Sequence, residues 1–320
     1  MAKFYSSLTE IKSKLSSGAV TVEKLVTGYL EQIKACEHLN AFNEVFADEA
    51  LAHAKQVDQR LKQGKAGKLA GMVIAIKDNI CYKGHKVSAS SKILDGFTSI
   101  FSSTIVERLL AEDAIIIGRA NCDEFAMGAS NENSAFGPVR NYADSTRVSG
   151  GSSGGSAVVV QAGMCHAAIG TDTGGSVRQP GSFCGVIGFK PTYGRISRHG
   201  IIAYASSFDQ VGPLTNSVED AALLYTIMAG ADEYDSTLSR KPVDVTPVKG
   251  DISKKRIAYI QEAVSSQGVD DEVKANLIDY IEKLRADGHT VEPISFDYLD
   301  YLVPTYYILA MAEASSNLAR

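Results

Sequence analysis

Between Met72 and Ile76 the chain reads MVIAI, and between Ala114 and Ile117 it reads AIII. Short, unbroken, β-branched runs of this kind suit strands buried on both faces, because a strand with one wet face alternates apolar and polar residues. Text of helical period surrounds them. SLTE, Ser7 to Glu10, is a capping box. TVEKLVTGYLEQIKACEHLN sets Leu25, Tyr29, Leu30 and Ile33 on one face, and DEALAHAKQVDQRLKQG predicts a helix that Gly64 stops. Further on, GSAVVVQAGMCHAAIGTDT predicts a helix from Ser156 and a strand near Ala167, CGVIGFKP another strand, and NSVEDAALLYTIMAG a helix opening at Ser217. KRIAYIQ, VDDEVKANLIDYIEKLRADG and HTVEPISF predict strand, helix and strand, and VPTYYILAMAEASSNLAR a last helix. The alternation predicts an α/β layered fold whose central sheet is mixed but mostly parallel, with helices on both faces.

Composition narrows the function. A chain of 320 residues with 45% apolar and 22% charged residues has ample material for a large core. Its net charge of −5 disfavours direct nucleic-acid binding, which needs clustered Lys and Arg on phosphates. Cys36, Cys81, Cys122, Cys165 and Cys184 are odd in number and lack metal-ligand spacing, which argues against disulfides and structural zinc. MAKFYSSLTEIK has no apolar signal core, and no run approaches a membrane span, so the expected compartment is the cytoplasm with no membrane contact.

Two Gly-Ser clusters interrupt the alternation: GGSSGGSA, Gly150 to Ala157, and TDTGGSVRQPGSFCG, Thr171 to Gly185. Such text makes flexible linkers, but it also makes loops that approach a ligand closely. These clusters lie inside the β-α alternation and not between blocks of different composition, which favours the second reading. Phosphate loops and the zinc-protease motif are absent. GGSSG fits the G-x-S-x-G nucleophile elbow, but the text before it, NYADSTRVSG, is polar and not a strand. A Ser-His-Asp site using His166, His199 or His289 stays open at this point. So does a lysine base: Lys77 directly follows the buried run MVIAI, where burial lowers an amine's pKa and where α/β sheets place their sites. From position alone, Lys77 reads equally well as a solvated loop residue.

IAIKDNI, GGSSGGSA and GTDTGGSVRQPGSFCGVIGFKPT, in this order, resemble the amidase signature family over nearly the whole chain. The resemblance implies the amidase-signature fold and a Ser-Ser-Lys triad: Ser176 as nucleophile, Ser152 as the bridging serine after a cis Gly151–Ser152 bond, and Lys77 as a neutral general base. Ser153 is the expected support for Lys77. Backbone amides of Thr173, Gly174 and Gly175, with that of Ser176, are the implied oxyanion hole, each donor worth about 3 kcal/mol in the transition state. Asp172 and Arg178 are expected to brace this loop. No metal is implied.

ANCDEFAMGASNENSAFGPVRN, Ala120 to Asn141, and AEASSNLAR, Ala312 to Arg320, are similar to the tRNA-dependent amidotransferase branch of this family. That likeness implies the A component of a heterotrimer, which hydrolyses glutamine and hands ammonia to its partners, the B and C subunits. There the B subunit amidates glutamate charged on tRNA(Gln) using ATP and Mg. The present protein would bind no cofactor, and tRNA would be held mainly by the partner. Gly128, Ser130, Tyr307 and Arg320 are the implied substrate-binding residues, with Tyr306 as the neighbouring alternative to Tyr307. The other reading is a stand-alone amidase of another small amide. Residues 1–320 are expected to form a single amidase-signature domain, truncated at its C-terminal end because the text stops mid-helix at Arg320.

Overall fold

The computed structural model describes residues 5–243 and 254–319. They fall into two compact units, one of residues up to 243 with 313–319, the other of residues 254–312. The first unit contains helices α1 (Leu8–Ser16), α2 (Val22–Ala35), α3 (Ala47–Lys62), α4 (Thr104–Ala111), α5 (Gly154–Gln161), α6 (Arg178–Phe183) and α7 (Val218–Met228). Its strands are β1 (Phe42–Val45), β2 (Val73–Lys77), β3 (Ile115–Ala120), β4 (Ala167–Asp172), β5 (Ile187–Gly188) and β6 (Gln210–Thr215). The second unit carries β7 (Arg256–Ile260), α8 (Gln261–Ser265), α9 (Asp271–Ala286), β8 (Thr290–Ile294) and most of α10 (Leu299–Leu318), with β7 and β8 paired in parallel.

Local chemistry sets the helix ends. Ser7, Thr21, Ser103 and Ser217 each accept an amide from the first turn of α1, α2, α4 and α7, as N-caps do. The α3 helix ends at Lys62, and Gly64 follows in the left-handed region. The α5 helix starts at Gly154, two residues before the expected Ser156, because the glycines themselves take helical geometry.

The sheet order is β1-β3-β2-β4-β6-β5. The three central strands β3, β2 and β4 run parallel, while β1 lies antiparallel outside β3, and β6 and β5 continue antiparallel beyond β4. Every residue of β2, β3 and β4 is buried, so both sheet faces are covered, and α5 packs against β2, β3, β4 and β6. This is the buried-strand pattern of the apolar runs. The parallel strands end at Lys77, Ala120 and Asp172, which brings all three carboxyl ends to one edge of the sheet.

Candidate active site

Lys77 closes β2 and is wholly buried. Its Nζ lies 2.6 Å from Ser152 Oγ, 3.0 Å from Ser153 Oγ and 2.9 Å from Thr171 Oγ1. Burial pushes the amine below its ordinary value, and this outweighs the opposing pull of Cys122, Asp123, Asp209 and Asp172. A neutral amine has two N–H donors and one lone pair. Ser153 Oγ–H donates to the Thr171 carbonyl at 3.0 Å, so its oxygen is free to accept from Lys77. Thr171 Oγ1 takes the second N–H. In that neutral form the lone pair is left for the Ser152 hydroxyl proton, the direction a base relay needs.

The two Gly-Ser clusters meet here. The Ser153 amide donates to the Ser176 carbonyl at 3.1 Å, which ties the segment before α5 to the turn before α6. The Gly151–Ser152 bond is cis, and the Gly151 amide donates to Gln179 Oε1 at 3.0 Å. Ser176 itself is 8% exposed, which leaves it at the edge of the buried cluster.

The turn between β4 and α6 is organised by Asp172. Its carboxylate accepts the amides of Gly175 at 2.9 Å and Val177 at 3.1 Å and is paired with Arg178 through Nε and Nη2 at 3.0 and 2.9 Å. Against the cost of burial, these donors hold the carboxyl below its usual range. Gly175 sits at φ +132°, open to glycine and closed to most side chains. Its amide is engaged by Asp172, whereas among the described residues no acceptor takes the amides of Thr173, Gly174 or Ser176. The Thr173 hydroxyl donates to Asp209 at 2.6 Å, and Asp209 also accepts the amides of Tyr204 and Ala205 at 2.8 and 3.0 Å.

The substrate-binding candidates divide. Gly128 lies against the Asp123 carboxylate, and the Ser130 amide faces the α-carbon of Gly151, so both border the serine cluster. Tyr307 lies on α10, exposed, within the 254–312 unit. Arg320 is outside the described residues. The histidine alternative gains no contact: among the described residues no hydrogen bond joins His166 or His199 to Ser152, Ser153 or Ser176. His166 precedes β4, at the end of the strand opposite Asp172, and is paired with Asp220 at 2.8 Å. His199 stacks on Tyr234, and His289 accepts from the Lys255 amide in the second unit. The site also holds four residues that the sequence did not nominate: Thr171, Asp123, Gln179 and Asp209. Thr171 and Gln179 carried a signal, as residues of the second cluster; Asp123 and Asp209 carried none.

The sequence pattern of the family described as Amidase matches residues 24–320. The chain belongs to the amidase family. It is 49% identical over 320 residues to the A subunit of glutamyl-tRNA(Gln) amidotransferase from Salinibacter ruber (strain DSM 13855 / M31), which takes in 99% of this chain and 62% of that relative. It is also 49% identical over 319 residues to the equivalent protein of Chlorobaculum tepidum (strain ATCC 49652 / DSM 12025 / NBRC 103806 / TLS), covering 97% of this chain and 65% of that one. The chain thus spans less than two thirds of these relatives' lengths. The crystal structure of the A subunit of glutamyl-tRNA(Gln) amidotransferase from Thermotoga maritima superposes with a TM-score of 0.80 at 41% identity, over 93% of this chain and 63% of that one. A peptide amidase from Stenotrophomonas maltophilia superposes at 0.85 with 30% identity, over 97% and 66% of the two chains. The fold is the amidase-signature fold. Among the described residues no helix is long and apolar enough to cross a membrane.

Proposed function

We propose that this amidase-family chain is a glutamine amidohydrolase subunit that works through Lys77, Ser152 and Ser176. The observation that carries the reading is the set of three hydroxyls around the buried Lys77 amine: in its neutral form the amine gives its N–H groups to Ser153 and Thr171 and keeps its lone pair for Ser152. Ser176 Oγ attacks the carboxamide carbon while its proton passes through Ser152 to Lys77. The oxyanion is met by the amides of the Thr173–Ser176 turn, foremost Gly174 and Ser176, which no acceptor takes among the described residues. Gly175, held by Asp172, shapes that turn. The same proton returns to the leaving nitrogen, ammonia departs, and water opens the acyl-enzyme with Lys77 again as base.

The choice of glutamine rests on the likeness to amidotransferase A subunits at 49% identity, against 30% for the peptide amidase. In this reading ammonia passes to a B subunit that uses ATP and Mg on glutamate-charged tRNA(Gln), with C completing the heterotrimer. The net charge of −5 accords with tRNA being held by the partner. Gly128, Ser130, Tyr307 and Arg320 are the proposed glutamine contacts, and the compartment is the cytoplasm. The likeness to a peptide amidase supports a second reading, a stand-alone hydrolase of another amide.

The test is ammonia release from glutamine by the full-length protein with its partner subunits, beside Ser176→Ala. Release that falls by at least about a thousandfold in the variant is the expected result. No release from glutamine, with turnover of another amide lost in Ser176→Ala, moves the assignment to the second reading. Unchanged turnover in the variant removes the triad.

A further inference from the structure

Asp123 follows β3 in the segment Asn121–Cys122–Asp123, with no exposed surface. Three sets of contacts converge on it. Its amide donates to the Ser152 carbonyl at 3.2 Å. Its two carboxylate oxygens accept the amides of Asn131 at 3.0 Å and Asn133 at 3.2 Å. It also fills the space where two glycines lack side chains: a Cβ on Gly151 would stand 2.1 Å from Asp123 Oδ2, and one on Gly128 2.2 Å from its carboxyl carbon. A contact below 3 Å cannot be accommodated against so buried a group, so these glycines and this carboxylate fit only together.

We infer that Asp123 is a positioning residue that clamps the Gly151–Ser152 segment to the 128–133 turn and leaves a carboxylate without a paired cation against the serine segment that holds Lys77. The inference rests on the serine-nucleophile reading above. The other groups that face this cluster are Cys122 from the same segment, Glu132 from the turn, Asp172 with its partner Arg178 after β4, Asp209 before β6, and Asp78 with its partner Arg119 beside Lys77. Asp78 and Asp172 each have an arginine. Among the described residues Asp123 has no cation within ion-pair distance, and only backbone amides meet its oxygens. Burial raises its carboxyl above the usual range, and the amides of Asn133 and Asn131 draw it only part of the way back.

The substitution Asp123→Asn keeps the shape, but its amide nitrogen must face one of two N–H donors, and it removes the charge. An alkyl fluorophosphonate reads the relay without reference to the natural substrate: Ser176 Oγ forms a P–O bond, fluoride leaves, and the hydroxyl proton goes to the base. Labelling rates of the full-length protein are followed against pH, with the modified residue located by mass spectrometry. The wild type labels at Ser176 with an acid limb where Lys77 takes up its proton. In Asp123→Asn the plateau falls about tenfold or more, and the acid limb moves to lower pH by about one unit, because a charge that favoured protonated Lys77 is gone. Asp123→Ser, which is smaller and also uncharged, gives the same shift if the asparagine variant does not fold. A folded variant whose limb stays in place overturns the inference, as does an unchanged plateau. A wild type that is not labelled at Ser176 sinks the serine-nucleophile reading instead.

Discussion

The 171–178 turn and the 121–133 segment both set a buried aspartate near Lys77, and they treat it in opposite ways. Asp172 is met by Arg178 as well as by three backbone amides, and its carboxyl is held below the usual range. Asp123 is met by amides alone, and its carboxyl is pushed up. Burial raises both carboxyls, and the Arg178 guanidinium, the strongest of the donors on Asp172, turns the balance there. In the proposed mechanism the first aspartate scaffolds the turn of the oxyanion amides with its charge paired, while the second leaves its charge unpaired.

Removing each group in turn tests this contrast. The largest effect is expected from Asp172→Ala, which strands the amides of Gly175, Val177 and Arg178 and dissolves the turn that carries Ser176. It should cost about 3 kcal/mol in urea unfolding and abolish Ser176 labelling. Stability against pH separates the two aspartates more finely. The lowered carboxyl of Asp172 contributes stability that is present above the ordinary value of 3.8 and lost as pH falls through its folded value. The raised carboxyl of Asp123 does the reverse: its penalty is present at neutral pH and is relieved as pH falls through its folded value toward 3.8. On acidification the stability gap between wild type and Asp172→Asn should shrink, and that between wild type and Asp123→Asn should grow. Parallel behaviour of the two gaps would erase the distinction. The smallest effect is expected from Arg178→Ala, since its side chain is 51% exposed and its pairing is screened by solvent, so stability should change by only about 1 kcal/mol. Uncovering the Asp172 charge should nevertheless move the acid limb of labelling to higher pH, opposite to Asp123→Asn.

How much of this was legible from sequence follows from distance along the chain. Lys77 stood out because five buried residues precede it, and the two serine clusters because glycines bracket them. The strands β1 and β6 were not foreseen. FNEV is short and half-polar, and QVGPLT contains Gly212 and Pro213, residues that weaken a strand reading. Pro213 is nevertheless accommodated, opposite Ile169 and with its carbonyl taken by the Phe189 amide. The run AIII was expected to end at Ile117, but β3 continues through Gly118 and Arg119 to Ala120. Arg119 reads as polar and exposed, yet it is buried because Asp78, just past the end of β2, and Glu44 of β1 both pair with it. The roles of Asp123, Asp209 and Gln179, the last within the second cluster, were silent for the same reason. Their roles depend on Gly151 and Thr173, partners tens of residues away in the chain, and nothing local in their own text announces a buried amide or hydroxyl partner.

The central claim is that Lys77 and Ser152 act as one relay on Ser176, and a double-mutant cycle on Ser176 labelling tests it most directly. Lys77→Ala, Ser152→Ala and the pair together are compared at a pH on the wild-type plateau. If the two residues form one proton path, the double variant labels no more than about threefold slower than the worse single variant, because the second loss removes nothing that still works. If the two penalties multiply, Lys77 and Ser152 serve Ser176 independently, and the relay drawn from the donor count is wrong.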